Sequence, residues 1–430
     1  MTAPPTRLPW LFAALAVVVC LGFAAFTGHI WEDYSITFRS SLHLATGHGL
    51  VYQPGERVHS FTSPLGTLLP ALFALGGGDH VAVRSLWWFR VLSAAALGGA
   101  VWLAARTMLR AGLAPVATAT ACTLWILDPK TIDFAINGQE DALLVFFLIV
   151  TWRAFVDGPR LWPCALGCAG LQWTRPDGVV FFGALAVAWW FFGPPTDHRA
   201  GWRTRWRHAG RAAALGLMLY LPWMFFAWTY YGSPLPHTML AKVSHHPPGE
   251  LTGALLLYPW RLLFGHVALH DVFTPAYFFF GGWPGAIAGL SRWLAVGGAL
   301  AWLWPATRPA GRVASAAFFL GGFYVEYLPR SPWYYPGWQA LAFVAWAWLL
   351  DAAWRTGADA FRRTALRVLG GTVVAVQAAL LLAVAWQMRA QQTLIEDHHR
   401  AEIGRWLRAH AAPGERVYLE PLGYIGFFPT

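Results

Sequence analysis

The sequence predicts an all-α protein that crosses a membrane many times. Hydrophobic residues make up 57% of its 430 residues, and the mean hydropathy is +0.44. Only 12% of the residues are charged, whereas soluble domains carry about 25%. The apolar residues gather in runs that short arginine-rich segments separate. Because lipid must solvate most of such a chain, and helices satisfy their own backbone hydrogen bonds in lipid, the runs predict spanning helices.

The first apolar run, residues 8–26, follows Arg7 and is long enough to cross a bilayer, which takes about 20 residues. Its length favours a retained helix over a signal peptide, which has a shorter core and a small-residue cleavage site. Further runs bring the predicted bundle to about 11 spans. They occupy residues 85–105, 113–128, 141–156, 161–173, 178–193, 211–231, 283–305, 312–327, 335–351 and 366–386.

Residues 64–75 form a shorter apolar run that contains Pro70 and ends in three glycines. It is too short to cross the hydrocarbon core, so we expect a helix on the outer surface. With a cytoplasmic N-terminus, nearly every arginine cluster between spans then falls inside, as the positive-inside rule requires. The net charge of +10 therefore indicates orientation rather than nucleic-acid binding. Residues 273–305 fit either one span with a re-entrant piece or two spans.

This orientation puts residues 29–84, here called the first loop, on the extracytoplasmic face. Asp33 is predicted to cap a short helix that runs to Thr46 and stops at Gly47. Glu32 and Arg39 are two helical turns apart, so they are expected on one face of that helix. The segment "YQPGER" has Pro and Gly where a type II turn needs them. The first loop is therefore predicted to be ordered.

Charged and aromatic residues gather in five segments that this topology puts outside, while the spans hold almost no ionisable groups. Carboxylates can act as general bases, and Arg and Lys can bind phosphate and stabilise charge on it. Each residue alone is explained by a helix cap or a lipid contact, but their convergence favours an enzyme. The candidates are Glu32, Asp33, Arg39, Glu140, Arg175, Asp177, His237, Lys242, Arg330, Tyr334 and Tyr335.

The stretch "WEDYSITFRSSLHLATGHGLVYQPGERVHSFTSPL" resembles the first outer loop of the GT-C glycosyltransferases. Its nearest likeness is to the branch that includes the mycobacterial terminal arabinofuranosyltransferases. The shared pattern is an acidic pair, an aliphatic–x–Phe–Arg motif, a Gly-His-Gly-Leu-Val-type segment and a Pro-Gly-Glu turn. The segments "NGQEDALL", "TRPDG" and "GSPLPHTMLAKV" resemble later elements of the branch, in the same order, over about residues 9–340.

The resemblance implies a GT-C-type catalytic bundle over residues 1–386. It implies transfer of a sugar from a polyprenyl-phosphate donor to an acceptor hydroxyl of an envelope glycan, lipid or protein. The membrane would be the bacterial cytoplasmic membrane, with the active site on its outer face. Membrane lipid is a further expected partner, and no nucleic acid is expected.

The resemblance also implies roles for individual residues. Glu32 and Asp33 match the acidic pair that supplies the general base, and we favour Asp33. Glu140 matches a second acidic position, and the cations of the branch match Arg39, Arg175 and Lys242. The chain departs from the branch in having Glu-Asp for Asp-Asp, Ser40 for Tyr after Phe-Arg, and His237 for Asn. These departures bear on the identity of the sugar and acceptor.

No cofactor follows with certainty from the sequence. A divalent cation shared by Glu140 and Glu32 is one alternative. The outer-face histidines lack tight ligand spacing, and the four cysteines fall in or beside apolar runs, where small core residues are the simpler interpretation. Metal binding therefore stays open.

The tail, residues 387–430, has an amphipathic pattern around Ile395, Ile403, Trp406 and Leu407. The segment "RVYLE" follows a Pro-Gly break and predicts a strand. Together they predict a small extracytoplasmic α/β segment, which is either rudimentary or cut off by the end of the sequence.

Two other classes of function share this membrane setting. A transporter or lipid flippase places its polar site near mid-membrane and often has internal repeats, which this sequence lacks. An envelope polymerase or ligase would use the same substrates at the same location. The sequence favours a transferase over the first and leaves the second open.

Overall fold

The structure is a computed structural model. It describes residues 7–158, 160–194, 202–243, 248–275, 283–327, 331–356, 360–412, 415, 417 and 422–427. In these ranges the regular structure is helical, without a strand, which confirms the predicted all-α class. The first ten helices are α1 Leu8–Thr27, α2 Glu32–Ala45, α3 Pro64–Ala74, α4 Val81–Arg110, α5 Pro115–Ile126, α6 Pro129–Ile136, α7 Asp141–Val156, α8 Leu161–Thr174, α9 Gly178–Phe192 and α10 Trp202–Tyr231.

The second half of the chain continues the bundle and ends in shorter elements. A π-helix at Gln391–Arg400 and single 3-10 turns at Ala268–Asp271, Ala301–Leu303 and Pro332–Tyr334 interrupt or extend the α-helices. The remaining α-helices are α11 His237–Val243, α12 Pro248–Phe264, α13 Gly285–Leu300, α14 Pro309–Tyr327, α15 Pro336–Thr356, α16 Ala360–Ala390, α17 Ala401–His410 and α18 Leu422–Phe427.

Each predicted apolar run coincides with a helix, and the chain is a multi-pass membrane protein. Within the described ranges, five helical stretches are long and apolar enough to span by themselves. A sixth is added if α6 and α7, which meet at 113°, form one broken span. Several other apolar helices, α3, α5 and α9 among them, are shorter. The number of about 11 spans therefore stays a prediction.

The first loop is ordered, as predicted, but its helix starts two residues earlier than expected. Trp31, not Asp33, is the N-cap of α2, and no side chain caps this end. The Trp31 N–H instead donates to the Asn137 carbonyl, 2.8 Å away. The predicted turn is present: the Glu56 N–H donates to Gln53 O at 3.2 Å, and Gly55 has φ +90°. A tertiary contact rather than local capping thus sets where α2 begins.

Three buried polar residues lie beneath α2 and are here called the support cluster: His29, Arg90 and Asp133. His29 Nδ1 is 2.7 Å from Asp133 Oδ1. Arg90 on α4 donates to the carbonyls of Gly28 at 3.0 Å, His29 at 2.6 Å and Ile136 at 2.9 Å. This cluster joins the end of α1 to α4 and α6, and so fixes the chain just before α2.

The tail folds back onto the first loop. The predicted amphipathic segment forms a helix, α17, on which Ile403 and Trp406 are exposed. Beyond it, α18 packs on α2. The predicted "RVYLE" strand lies outside the described residues except for Val417, which is not in a strand. The α/β prediction for this segment is therefore not confirmed.

Candidate active site

A cavity of about 220 Å³ opens beside α2. Its size is below the about 300–1,000 Å³ of pockets for drug-sized ligands, so it suits one small ring rather than a long chain. Five segments of the sequence that are far apart contribute to it. Its wall comprises Asp33, Ile36, Thr37, Ser60, Phe61, Thr62, Ser63, Gln139, Glu140, Arg175, Pro176, Asp177, Thr238, Met239, Tyr324, Tyr327, Trp333 and Tyr334.

Helix α2 presents one face to this cavity. Asp33, Ile36 and Thr37 line it, at the spacing of three and four residues that shares a helix face. Consecutive helical residues point about 100° apart, so Glu32 is directed elsewhere. The structure thus separates the two acids of the pair, and only Asp33 reaches the cavity.

Arg175 is the centre of a charged group on another part of the cavity wall. Its guanidinium donates to both oxygens of Asp177, with Nε–Oδ1 and Nη2–Oδ2 distances of 3.1 Å. Glu140 Oε1 lies 4.0 Å from Nε. Burial alone lowers the pKa of Arg175, but the Asp177 and Glu140 carboxylates outweigh it and hold the pKa well above the ordinary value. Arg175 therefore stays charged and joins the "NGQEDALL" and "TRPDG" segments.

Aromatic side chains form the third part of the wall. The Arg175 guanidinium lies over the Tyr334 ring, 4.8 Å from its centroid, and donates to Trp333 O at 3.3 Å. The Tyr324 hydroxyl donates to Asp177 Oδ2. Rings of this kind offer flat apolar faces with a polar edge, which suit a sugar ring.

Three polar groups on the cavity wall have no hydrogen-bond partner in the described part of the chain. They are Ser60 Oγ, Gln139 Nε2 and Thr238 Oγ1. A buried polar group without a partner costs about 1–3 kcal/mol, so these groups are candidates for binding a ligand. None of the three was a predicted site residue, although Gln139 is next to Glu140 in the motif "NGQEDALL".

Several predicted site residues lie outside the cavity wall. Glu32 Oε1 accepts from the Gly423 N–H at 3.2 Å, and Arg39 donates to Gly426 O, so both face α18. Glu32 and Arg39 therefore share one face of α2, as predicted, but that face contacts the tail and not the cavity. His237 pairs with the first loop, since its Nδ1 accepts from the His59 N–H at 3.2 Å. Tyr335 lies beneath Lys130 instead, with Nζ 4.5 Å from the ring centroid.

Two predicted cations cannot be placed at the cavity. The backbone of Lys242 belongs to α11, four positions after Thr238, but its side chain is outside the described residues. Arg330 lies wholly outside them. Of the predicted candidates, the structure brings together Asp33, Glu140, Arg175, Asp177 and Tyr334.

The described residues contain no group of three or more His, Cys, Asp and Glu side chains that could hold a metal ion. The two acids considered for a shared cation have separate partners. Glu32 contacts Gly423 and Arg400, while Glu140 faces Arg175. The geometry therefore gives no support to a divalent ion between Glu32 and Glu140.

Comparison with known proteins finds two similar terminal β-(1→2)-arabinofuranosyltransferases. The one from Mycobacterium tuberculosis is 28% identical over 253 residues, which are 54% of this chain and 38% of the relative. The one from Corynebacterium glutamicum is 27% identical over 262 residues, which are 55% of this chain and 36% of the relative. No family model matches. The similarity confirms the resemblance to this branch of glycosyltransferases, while the matched part is well under half of each relative.

Proposed function

We propose that the protein is a membrane glycosyltransferase that moves a sugar from a polyprenyl-phosphate donor to an acceptor hydroxyl. The observation that carries the proposal is the cavity whose wall holds Asp33, the Arg175 group and a set of aromatic rings. The named activity of the two similar proteins supports a pentofuranosyl group as the sugar. The arginine pattern of the loops supports reaction on the outer face of the membrane, and the similarity to the two relatives supports a bacterial cytoplasmic membrane.

In the proposed mechanism, Asp33 is the general base. It accepts the proton of the acceptor hydroxyl while the acceptor oxygen bonds to the anomeric carbon. The bond from that carbon to the phosphate oxygen breaks, and the phosphate leaves with the electron pair. One displacement of this kind inverts the anomeric configuration. A general base at this position is worth about 10²–10⁴-fold in rate.

Arg175 has a different role in this mechanism from the one expected of a phosphate ligand. Its two parallel bonds to Asp177 occupy the fork that would otherwise bind an anion. Arg175 therefore positions Asp177, and Glu140 beside it is left for contact with sugar or acceptor hydroxyls. In this mechanism, Lys242 and Arg330 bind the leaving phosphate and stabilise its negative charge. Thr238, which is four residues before Lys242 in α11, lines the cavity.

Purified protein, a synthetic polyprenyl-phosphoryl pentofuranose and a short glycoside acceptor test the proposal. Wild type is expected to add single sugars, with inversion, and Asp33→Asn is expected to lower kcat by about 10²-fold or more. Asp79→Asn is the matched control, because Asp79 is an exposed acid of the same first loop. Near-normal transfer by Asp33→Asn would remove Asp33 as the base.

The same assay separates the rival functions. Repeated addition to one acceptor indicates a polymerase, and transfer of a preassembled glycan indicates a ligase. Movement of donor lipid across liposomes without any transfer indicates a flippase. A panel of hexosyl and pentosyl donors then identifies the sugar.

A further inference from the structure

The tail contacts the one helix that carries the proposed base. The contacting elements, here called the clamp, are the π-helix Gln391–Arg400 and α18. α18 packs on α2 so closely that a Cβ added at Gly423 would be 2.3 Å from the Glu32 carbonyl oxygen. The Phe427 and Phe38 rings extend this contact, with centroids 5.9 Å apart. Glycine at position 423 is therefore required by the close approach of the two helices.

Gln392 joins three parts of this contact. Its Oε1 accepts from the Ile30 N–H at 3.0 Å, in the chain that leads into α2. Its Nε2 donates to Asp397 Oδ1 at 2.9 Å and to the Tyr424 hydroxyl at 2.6 Å. One buried side chain thus links the start of α2, the π-helix and α18.

Glu32 is the α2 residue on which the clamp converges. It accepts from the Gly423 N–H, and its Oε2 is 3.5 Å from Arg400 Nη1. Arg400 in turn lies 2.9 Å from the buried Glu396. Two helical turns further along α2, Arg39 donates to Gly426 O. The clamp therefore holds one α2 face at two positions, Glu32 and Arg39, while the adjacent face carries Asp33, Ile36 and Thr37 into the cavity.

We infer that Glu32 is a positioning residue, which the clamp uses to fix the rotation of α2 and hence the place of Asp33. The inference rests on the proposed function of Asp33. A misplacement of about 1 Å at a reacting group costs about 10²-fold in rate. Because α2 is a single rigid element, loss of its contacts with the clamp is expected to move Asp33, even when no residue of the cavity wall has been substituted.

Gly423→Ala tests the clamp without altering either acid. The added methyl group cannot fit against Glu32, so α18 must shift. We expect kcat to fall about tenfold or more while KM for the donor changes little. Gly371→Ala on α16 is the matched control, because a Cβ there meets nothing within 4 Å. Hydrogen exchange of the α2 amides is measured on both variants and is expected to rise only in Gly423→Ala.

Substitutions of Glu32 separate positioning from direct contact with substrate. Glu32→Gln keeps an oxygen that accepts from Gly423 and is expected to retain most of the transfer rate. Glu32→Ala removes that acceptor and is expected to resemble Gly423→Ala in both kcat and exchange. If Glu32→Gln loses as much activity as Asp33→Asn, Glu32 touches substrate and the inference is overturned.

The exchange measurement also keeps this inference apart from the proposed function. Faster α2 exchange in Gly423→Ala with no transfer by wild type supports the clamp and refutes the proposed function. Faster exchange with unchanged kcat overturns the positioning role of Glu32. Unchanged exchange in Gly423→Ala overturns the clamp itself.

Discussion

The support cluster and the cavity are both polar, and both adjoin α2, yet Arg90 of the cluster and the polar groups of the cavity wall differ in their hydrogen bonds. In the support cluster, Arg90 donates to three backbone carbonyls and His29 pairs with Asp133, all within the protein. In the cavity, Gln139 Nε2 and Thr238 Oγ1 have no partner among the described residues. The Arg90 guanidinium holds three backbone carbonyls in place, whereas these two groups on the cavity wall make no hydrogen bond to the described residues.

This difference indicates which polar residues are scaffold and which are for a ligand. A buried group that is fully engaged stabilises the fold, whereas a buried group without a partner costs free energy until something binds it. Arg175 stands between the two, because it is paired within the protein and yet lies on the cavity wall. The comparison predicts opposite effects on stability for substitutions in the two regions.

The largest effect on stability is expected from Arg90→Met. Each buried acceptor that loses its donor costs about 1–3 kcal/mol, so the free energy of unfolding is expected to fall by about 3 kcal/mol or more. Thermal unfolding in detergent measures it. Arg84→Met is the control on the same helix, where the arginine is exposed and donates to Gly77 O at 2.9 Å; a change within about 0.5 kcal/mol is expected. Equal effects of the two substitutions would contradict the scaffold role.

A moderate effect, on activity alone, is expected from Gln139→Met and Thr238→Val. Each removes an unpartnered group, so stability should be unchanged or slightly higher. Each is expected to lower kcat/KM about tenfold, because one hydrogen bond to substrate is worth about 1.4 kcal/mol. Thr372→Val on the exposed face of α16 is the control for the threonine. A loss of stability without a loss of kcat/KM would place these groups with the scaffold.

The smallest effect concerns pH and the clamp. Burial raises the pKa of Glu32 above its ordinary 4.5, against the lowering effects of the Gly423 N–H and Arg400. The folded protein thus binds this proton more tightly than the unfolded chain does. The stability that this tighter proton binding supplies is fully present below the pKa of Glu32 in the unfolded chain. It is lost as the pH rises through the pKa of Glu32 in the folded protein. As the pH falls from about 7 to about 5, the melting temperature of wild type should rise relative to that of Glu32→Gln. The reverse trend would mean that the contact of Glu32 with Arg400 outweighs the effect of burial.

Much of the fold could be predicted because it follows from local pattern and from the solvent. Apolar runs such as residues 8–26 become helices, since lipid offers no partner for a free backbone. The "YQPGER" turn forms because Gly55 accepts a positive φ. The start of α2 was predicted wrongly, because Asn137, more than a hundred residues later, supplies the contact that decides it.

The candidate site was predicted less completely. Residue types and motif order pointed to the segments that contain Asp33, Glu140, Arg175 and Asp177, and the structure brings these residues to one cavity. The same reasoning included Glu32 and Arg39, because a motif records which residues occur together and not which way each one faces. Ser60 and Thr238 were missed, since a lone serine or threonine has no signal in sequence until its neighbours leave it unpaired.

The sequence by itself determined the helical class, the membrane setting, the ordered first loop and the face that Glu32 shares with Arg39. These depend on spacing along one element, and helical periodicity converts spacing into direction. Only the tertiary structure decided that this face meets the tail and that Asp33 meets the cavity. The direction of each face depends on how α2 is rotated about its own axis. Contacts with Asn137, Gln392 and Gly423 set this rotation, and these residues are distant in sequence and come together only when the chain folds.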